Sequence, residues 1–197
     1  MNTELQSNKY IVKRNFISKD EAKKLAELFS NFAEENPKER GDSLCPGTFY
    51  HYNFFHFLGF SLDKLSEVET IVEEKLFPTY TFARLYKTGD DLRPHRDREA
   101  CEISITLNLD CDRSWDIWFA HDERGVEDPE YRTYISLEPG DAIIYKGCEI
   151  KHGRDPLEGK YCTQLFLHYV QRNGPYNFYY FDHYALCSGI RTQMRFG

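Results

Sequence analysis

The stretch Leu85-Tyr86-Lys87-Thr88-Gly89-Asp90-Asp91-Leu92-Arg93-Pro94-His95-Arg96-Asp97 decides how this chain is read. It starts with strand character, turns at Gly89-Asp90 and ends in a His-x-Asp triplet. In an extended backbone, residues i and i+2 point to the same side, so the His95 imidazole and the Asp97 carboxylate can address one metal ion. A third ligand must come from elsewhere, and His152, beyond several strand-like segments, is the candidate. Two imidazoles and one carboxylate on one face of an octahedral ion leave three positions open, which suits Fe(II) in an oxygenase. A rival pair, His121-Asp122-Glu123, stands beside Arg124 and Gly125 and reads as a charged surface loop.

Working outward, Ile103-Ser104-Ile105-Thr106-Leu107-Asn108-Leu109 alternates apolar and small polar side chains. One face can enter a core while Ser104, Thr106 and Asn108 line a cavity. Leu137-Glu138-Pro139-Gly140-Asp141 makes a tight turn into the strand Ala142–Tyr145, with His152 after it and Gly159-Lys160-Tyr161 opening a further strand. Other segments of strand type are Tyr80–Tyr86, Asp116–Phe119, Arg132–Leu137 and Tyr161–Val170. Upstream, Ser18 and Glu21 form a capping-box pattern before Ala22, Leu25, Leu28, Phe29 and Phe32, with Asn36-Pro37 as the stop. A second helix is expected from Leu62 to Leu76, with Pro78 beyond its end. Helices first and short strands afterwards give an α+β chain whose body is a β-sandwich or barrel.

A length of 197 residues allows one large domain with a substantial core. The net charge of −7 disfavours nucleic acid or an anionic membrane as partner. No apolar run approaches the roughly 20 residues of a membrane span, and the polar start lacks a signal-peptide core, so a cytoplasmic protein is expected. The six cysteines include no Cys-x2-Cys pair and read as reduced, mostly buried residues. Aromatic residues make up 16% of the chain and cluster at Phe49–Phe57 and Tyr176–Tyr184. They suit core packing, a pocket wall or a homodimer face. His51, His56, His168 and His183, set among them, read as packing residues. Between Arg84 and Arg98, five cations face three acids, which fits an anionic or zwitterionic substrate.

In order and spacing, these pieces resemble the prolyl-4-hydroxylase-like branch of the 2-oxoglutarate- and Fe(II)-dependent oxygenases. The resemblance runs from about Tyr80 to Tyr169, and the strand-then-helix opening Tyr10–Phe32 is similar as well. It implies a double-stranded β-helix (jelly-roll) core with two N-terminal helices packed on one sheet. The whole chain would be a single domain: a helical part to about residue 78, the jelly roll over about 79–172 and an aromatic C-terminal segment over 173–197. It further implies catalytic metal ligands His95, Asp97 and His152, Fe(II) as cofactor, and 2-oxoglutarate and O2 as cosubstrates. The far carboxylate of the oxo acid would meet Lys160, with Arg154 as the rival cation and with Tyr86 or Thr106 beside it. The implied reaction is hydroxylation of peptidyl proline, a free amino acid or a small metabolite, with succinate and CO2 as coproducts. The competing reading is a non-catalytic β-sandwich binding or assembly protein with a structural or vestigial metal site. Nucleic-acid demethylation fits poorly, because Tyr161 to Tyr169 contains no basic residue.

Overall fold

The computed structural model describes residues 1–37, 45 and 47–182. After a one-and-a-half-turn helix α1 (Thr3–Asn8) come strand β1 (Tyr10–Lys13) and helix α2 (Lys19–Glu35). The Ser18 hydroxyl accepts the Glu21 N–H at 3.1 Å and starts α2 as the capping pattern predicts. Ala22, Ala26, Phe29 and Ala33 form its buried stripe, and the three alanines let the helix lie close on the sheet. Phe29 carries the aromatic load, with ring centroids 5.4 Å from Phe49, 5.7 Å from Phe54 and 5.4 Å from Phe57.

Strand β2 (Phe49–Tyr52) leads into helix α3 (Phe55–Val72), followed by the long strand β3 (Leu76–Lys87). The second helix therefore sits earlier than expected. It takes in the aromatic run from Phe55, and Glu73 in a left-handed conformation ends it. Leu76 and Pro78, expected at and beyond the helix end, belong to β3 instead. The aromatic residues at the helix start carry a local preference for strand, and tertiary packing overrides it.

The remaining strands are β4 (Leu92–His95), β5 (Ile103–Cys111), β6 (Ile117–Ala120), β7 (Arg132–Ile135), β8 (Ala142–Tyr145), β9 (His152–Arg154) and β10 (Tyr161–Gln171). They build two antiparallel sheets, ordered β1-β8-β5-β10-β3-β2 and β4-β9-β6-β7. This is the double-stranded β-helix that the resemblance implied. Helices α2 and α3 cover the outer face of the larger sheet against β5 and β3. Their shared core includes Phe29, Phe57, Val68, Ile105, Leu107 and Leu165.

The Pro-Gly-Asp turn fastens the N-terminal segment to this body. Gly140 has φ +90°, and a Cβ there would come within 2.5 Å of the Ile17 carbonyl. Asp141 accepts the Asn15 N–H at 2.9 Å and pairs with Arg14 at 2.7 Å. No helix among the described residues is long and apolar enough to cross a membrane.

The cysteine reading needs a correction. Cys111 and Cys162 stand opposite each other in the β5–β10 pair and form a disulfide across 51 residues of sequence. Strand register, which cysteine spacing does not reveal, brings them together. Cys45, Cys101 and Cys148 remain thiols, while Cys187 lies outside the described residues, as do His183 and Tyr184. Because α2 is held on the sheet by the Phe29 cluster, Phe29→Ala should cost about 3–5 kcal/mol of stability, read from urea unfolding.

Candidate metal centre

Strands β4 and β9 are neighbours, and their register sets His95 directly opposite His152. The two imidazoles lie 4.4 Å apart between centroids. Asp97, two residues past His95, brings Oδ1 to 3.4 Å from His95 Nε2 and 3.6 Å from His152 Nε2. The other nitrogen of each ring is tied to its own segment, His95 Nδ1 to the Arg93 carbonyl at 2.8 Å and His152 Nδ1 to the Ile150 carbonyl at 3.1 Å. A carbonyl only accepts, so each neutral ring holds its proton on Nδ1 and turns the Nε2 lone pair towards Asp97. Ligating histidines are oriented in this way by their outer hydrogen bonds. The structure thus brings together all three residues expected as ligands, with donor atoms within 4.8 Å of one another.

Asp97 is itself held from behind. The Ser104 hydroxyl donates to its Oδ2 at 2.8 Å and lies 3.0 Å from His168 Nδ1, whose N–H it can accept. The Asp97 N–H donates to the Gly147 carbonyl at 2.9 Å. A Cβ on Gly147 would collide with Asp97 Oδ2, Ser104 Oγ and the Cys101 carbonyl. One carboxylate oxygen is therefore engaged by the protein and the other points at the imidazoles. Asp97 also comes within ligand distance of Cys101 and His168. In that second group the Tyr80 hydroxyl, 2.9 Å from Cys101 Sγ, and Ser104 occupy the polar atoms.

Burial works against charge throughout the site. It pushes His152 down to about 4, with the Asp97 charge only partly compensating. His168 is also pushed to about 4 by burial. At His95, burial is outweighed by the hydrogen bond and charge of Asp97, and the pKa rises. At Asp97, burial would favour the acid form, but the His152 charge and the His95 hydrogen bond prevail and hold the carboxyl well below its usual range. Near neutral pH, Asp97 is anionic and His152 neutral, the forms a metal requires.

These groups open on a cavity of about 120 Å³, whose wall includes Tyr52, Tyr80, Phe82, Arg84, Phe166 and His168. Tyr86 and Thr106, both expected near the oxo acid, line it too. Lys160 does not. It is exposed in the turn before β10, where its backbone N–H donates to Asp112 at 2.8 Å. Arg154, the rival, is buried on β9 near Tyr86 and Tyr145 but is not part of the cavity wall. Burial pulls its pKa down to about 10.

His168, read as a packing residue, is a cavity residue, as are Ser104, Tyr145 and Arg84 in its wall or immediate support. The signal was present in the period-2 alternation of β10, which aligns Gln164, Phe166 and His168 on one face. Asn108 turns away instead, donating to the Leu137 carbonyl at 2.6 Å. His51 packs on Phe32, while His56 and His121 are exposed. Of the cation-rich stretch, Arg96 pairs with Glu123, Arg98 pairs with Asp182, and Lys87 and Arg93 are exposed. Only Arg84 of the five lines the cavity.

No protein-family model matches the sequence, and no curated protein does. Solved structures do match. A Pseudomonas putida prolyl-4-hydroxylase superposes with a TM-score of 0.65 at 15% identity, over 86% of this chain and 96% of that one. HygX from Streptomyces hygroscopicus, solved with nickel and 2-oxoglutarate bound, gives 0.64 at 13%, over 88% of each chain. SnoK, a non-heme α-ketoglutarate-dependent carbocyclase from nogalamycin biosynthesis, gives 0.68 at 10%, over 87% of this chain and 84% of that one. The shared feature is the double-stranded β-helix fold.

Two outcomes follow from the support of Asp97. Ser104→Ala should weaken metal binding about 10- to 100-fold while the chain stays folded, as measured by titration with Fe(II) or Mn(II). For His168, a folded pKa near 4 against 6.5 unfolded means that the unfolded state binds the proton better. Its contribution to stability is fully present above about pH 6.5 and lost as pH falls towards 4. The melting temperature of the metal-free protein should therefore fall less steeply across that window in His168→Gln than in wild type.

Proposed function

We propose that this chain is an Fe(II)- and 2-oxoglutarate-dependent oxygenase that hydroxylates a small-molecule or peptidyl substrate, with His95, Asp97 and His152 as its metal ligands. The observation that carries this reading is the convergence of two Nε2 atoms and one carboxylate oxygen inside a buried cavity. The donor set fits the metal: two imidazoles and one carboxylate on one face, without thiolate, suit ferrous iron and not copper(I). When bound, the metal and the oxo acid would supply oxidation by O2, with the oxo acid leaving as succinate and CO2.

The chain's own contributions are positional. Carbonyls of Arg93 and Ile150 hold the imidazoles in the ligating tautomer, and Ser104 holds Asp97 so that Oδ1 is presented. Tyr86 and Thr106 line the part of the wall available to the oxo acid, while Tyr52, Tyr80, Phe82 and Phe166 provide apolar surface that excludes water. A cavity of about 120 Å³ is small beside the 300–1,000 Å³ of pockets for larger ligands. It suits the oxo acid, with the substrate presenting one group from the aromatic mouth. Peptidyl proline, a free amino acid and a small metabolite all meet that description. The alternative, a binding or assembly protein, gives no reason for two imidazoles to be locked with their lone pairs around a buried carboxylate.

An anaerobic titration tests the reading. Adding Fe(II) and then 2-oxoglutarate should produce the visible metal-to-ligand charge-transfer band, and His95→Ala or Asp97→Ala should abolish it without unfolding the chain. A folded wild-type protein that gives no band under these conditions would overturn the proposal.

A further inference from the structure

We infer that the substrate is a neutral, ring-bearing molecule that docks on the aromatic segment 176–182 beside the cavity mouth. This inference names a substrate class for the functional reading above and rests on that reading. A cavity of about 120 Å³ accommodates the oxo acid and one group of the substrate, so the rest of the molecule must lie on the surface beside it. Tyr176-Asn177-Phe178-Tyr179-Tyr180-Phe181-Asp182 provides that surface. The Tyr179 ring packs with Tyr52 and Phe82 against Tyr80, Ala100 and Cys101, and Tyr52, Tyr80 and Phe82 line the cavity. The Phe181 N–H donates to the Pro78 carbonyl at 2.8 Å and the Asp182 N–H to the Thr79 carbonyl at 3.0 Å. These bonds lay the segment along the start of β3, ahead of Tyr80 and Phe82.

Three rings of this segment are left in solvent: Phe178 is 65% exposed, Tyr180 59% and Phe181 46%. Apolar surface gathered in this way marks an interaction site. Phe181 also adopts φ +44°, a left-handed conformation that is costly for a bulky residue. Two backbone hydrogen bonds hold it there with its ring outside the core, and strain kept at no gain in packing belongs to function. The chemistry of the segment is neutral. Residues 176–181 carry no charged side chain, and the buried Asp182 carboxylate is paired with Arg98, whose guanidinium lies over the Tyr80 ring at 4.8 Å. A substrate carboxylate or phosphate approaching this rim would meet Asp182 along with Arg98 and gain nothing. A ring of the substrate, by contrast, can stack on Phe178 and Tyr180 and extend the aromatic wall of the cavity outward. The class therefore differs from the anionic substrate that the cation-rich stretch between Arg84 and Arg98 suggests.

Three probes test this: N-acetyl-phenylalaninamide, neutral with a ring; N-acetyl-phenylalanine, its anionic counterpart; and N-acetyl-alaninamide, neutral without a ring. Equilibrium dialysis against the protein loaded with Fe(II) and 2-oxoglutarate, under anaerobic conditions, should show the first binding about tenfold tighter than either of the others. Phe178→Ser with Tyr180→Ser, both at exposed positions, should remove the preference for the ring without lowering the melting temperature. Asp182→Asn should move the charge preference about tenfold towards N-acetyl-phenylalanine, because Arg98 loses the carboxylate that neutralises it. Equal binding of all three probes by wild type would overturn the inference, as would a preference for the anion. A ring preference that survives the double variant would do the same. So would a wild type that is dimeric in analytical ultracentrifugation and a double variant that is monomeric, since a second copy would then cover these rings. The 2-oxoglutarate charge-transfer band, read alongside, separates the docking surface from the functional reading. A band without ring preference refutes the surface and leaves the functional reading standing. Ring preference without a band, measured on the metal-free protein, supports the surface and removes the functional reading.

Discussion

The pairing register of β4 with β9 is the constraint on which the site depends. Side chains alternate along a strand, so a slip of one residue would turn His152 to the opposite face and dismantle the set. β9 is only three residues long, and its register is secured from both sides. His95 lies opposite His152 on one flank, while Trp118 and Phe119 of β6 lie opposite Gly153 and His152 on the other. Gly153 makes this possible, because a Cβ there would meet the Leu92 carbonyl at 2.6 Å and the Trp118 ring. Pro94 is tolerated in β4 because β4 is an edge strand.

Around that register the cavity gathers groups that would be unfavourable in an ordinary core. Asp97, His152, His168 and Arg84 share a small volume walled by aromatics. Asp97 is held by Ser104 at its carboxylate and by Gly147 at its backbone N–H, and the charge of His152 and the hydrogen bond with His95 outweigh its burial and keep it ionised. The helices, the Phe29 cluster and the Asp141 turn supply stability elsewhere, on the outer face of the large sheet and at its N-terminal edge.

Several sequence-level readings hold at residue resolution. The Ser18 cap, the Ala142–Tyr145 strand and the convergence of His95, Asp97 and His152 all appear in the structure. Others fail for identifiable reasons. The start of α3 is hidden in an aromatic run whose local preference is for strand. Strands β2, β4 and β9 are too short to show alternation. Lys160 fits a position counted along the chain, but the turn before β10 directs it to solvent.

What the sequence by itself determined was local and ordinal. It specified which turns require Gly or Pro, where a capped helix begins, that a His-x-Asp pair precedes a distal histidine with strands between, and hence an α+β chain with a β-sandwich or barrel body. These follow from backbone preferences and from a period of two or 3.6 residues, which act over short distances along the chain. Only the tertiary structure decided that Arg84 and Arg154 are buried while Lys160 is exposed, that Ser104 and His168 support Asp97, and that Cys111 faces Cys162. Each of those is a relation between neighbouring strands remote in sequence. Register and burial, which arise when the sheets pair and pack, set such relations, and spacing along the chain does not encode them.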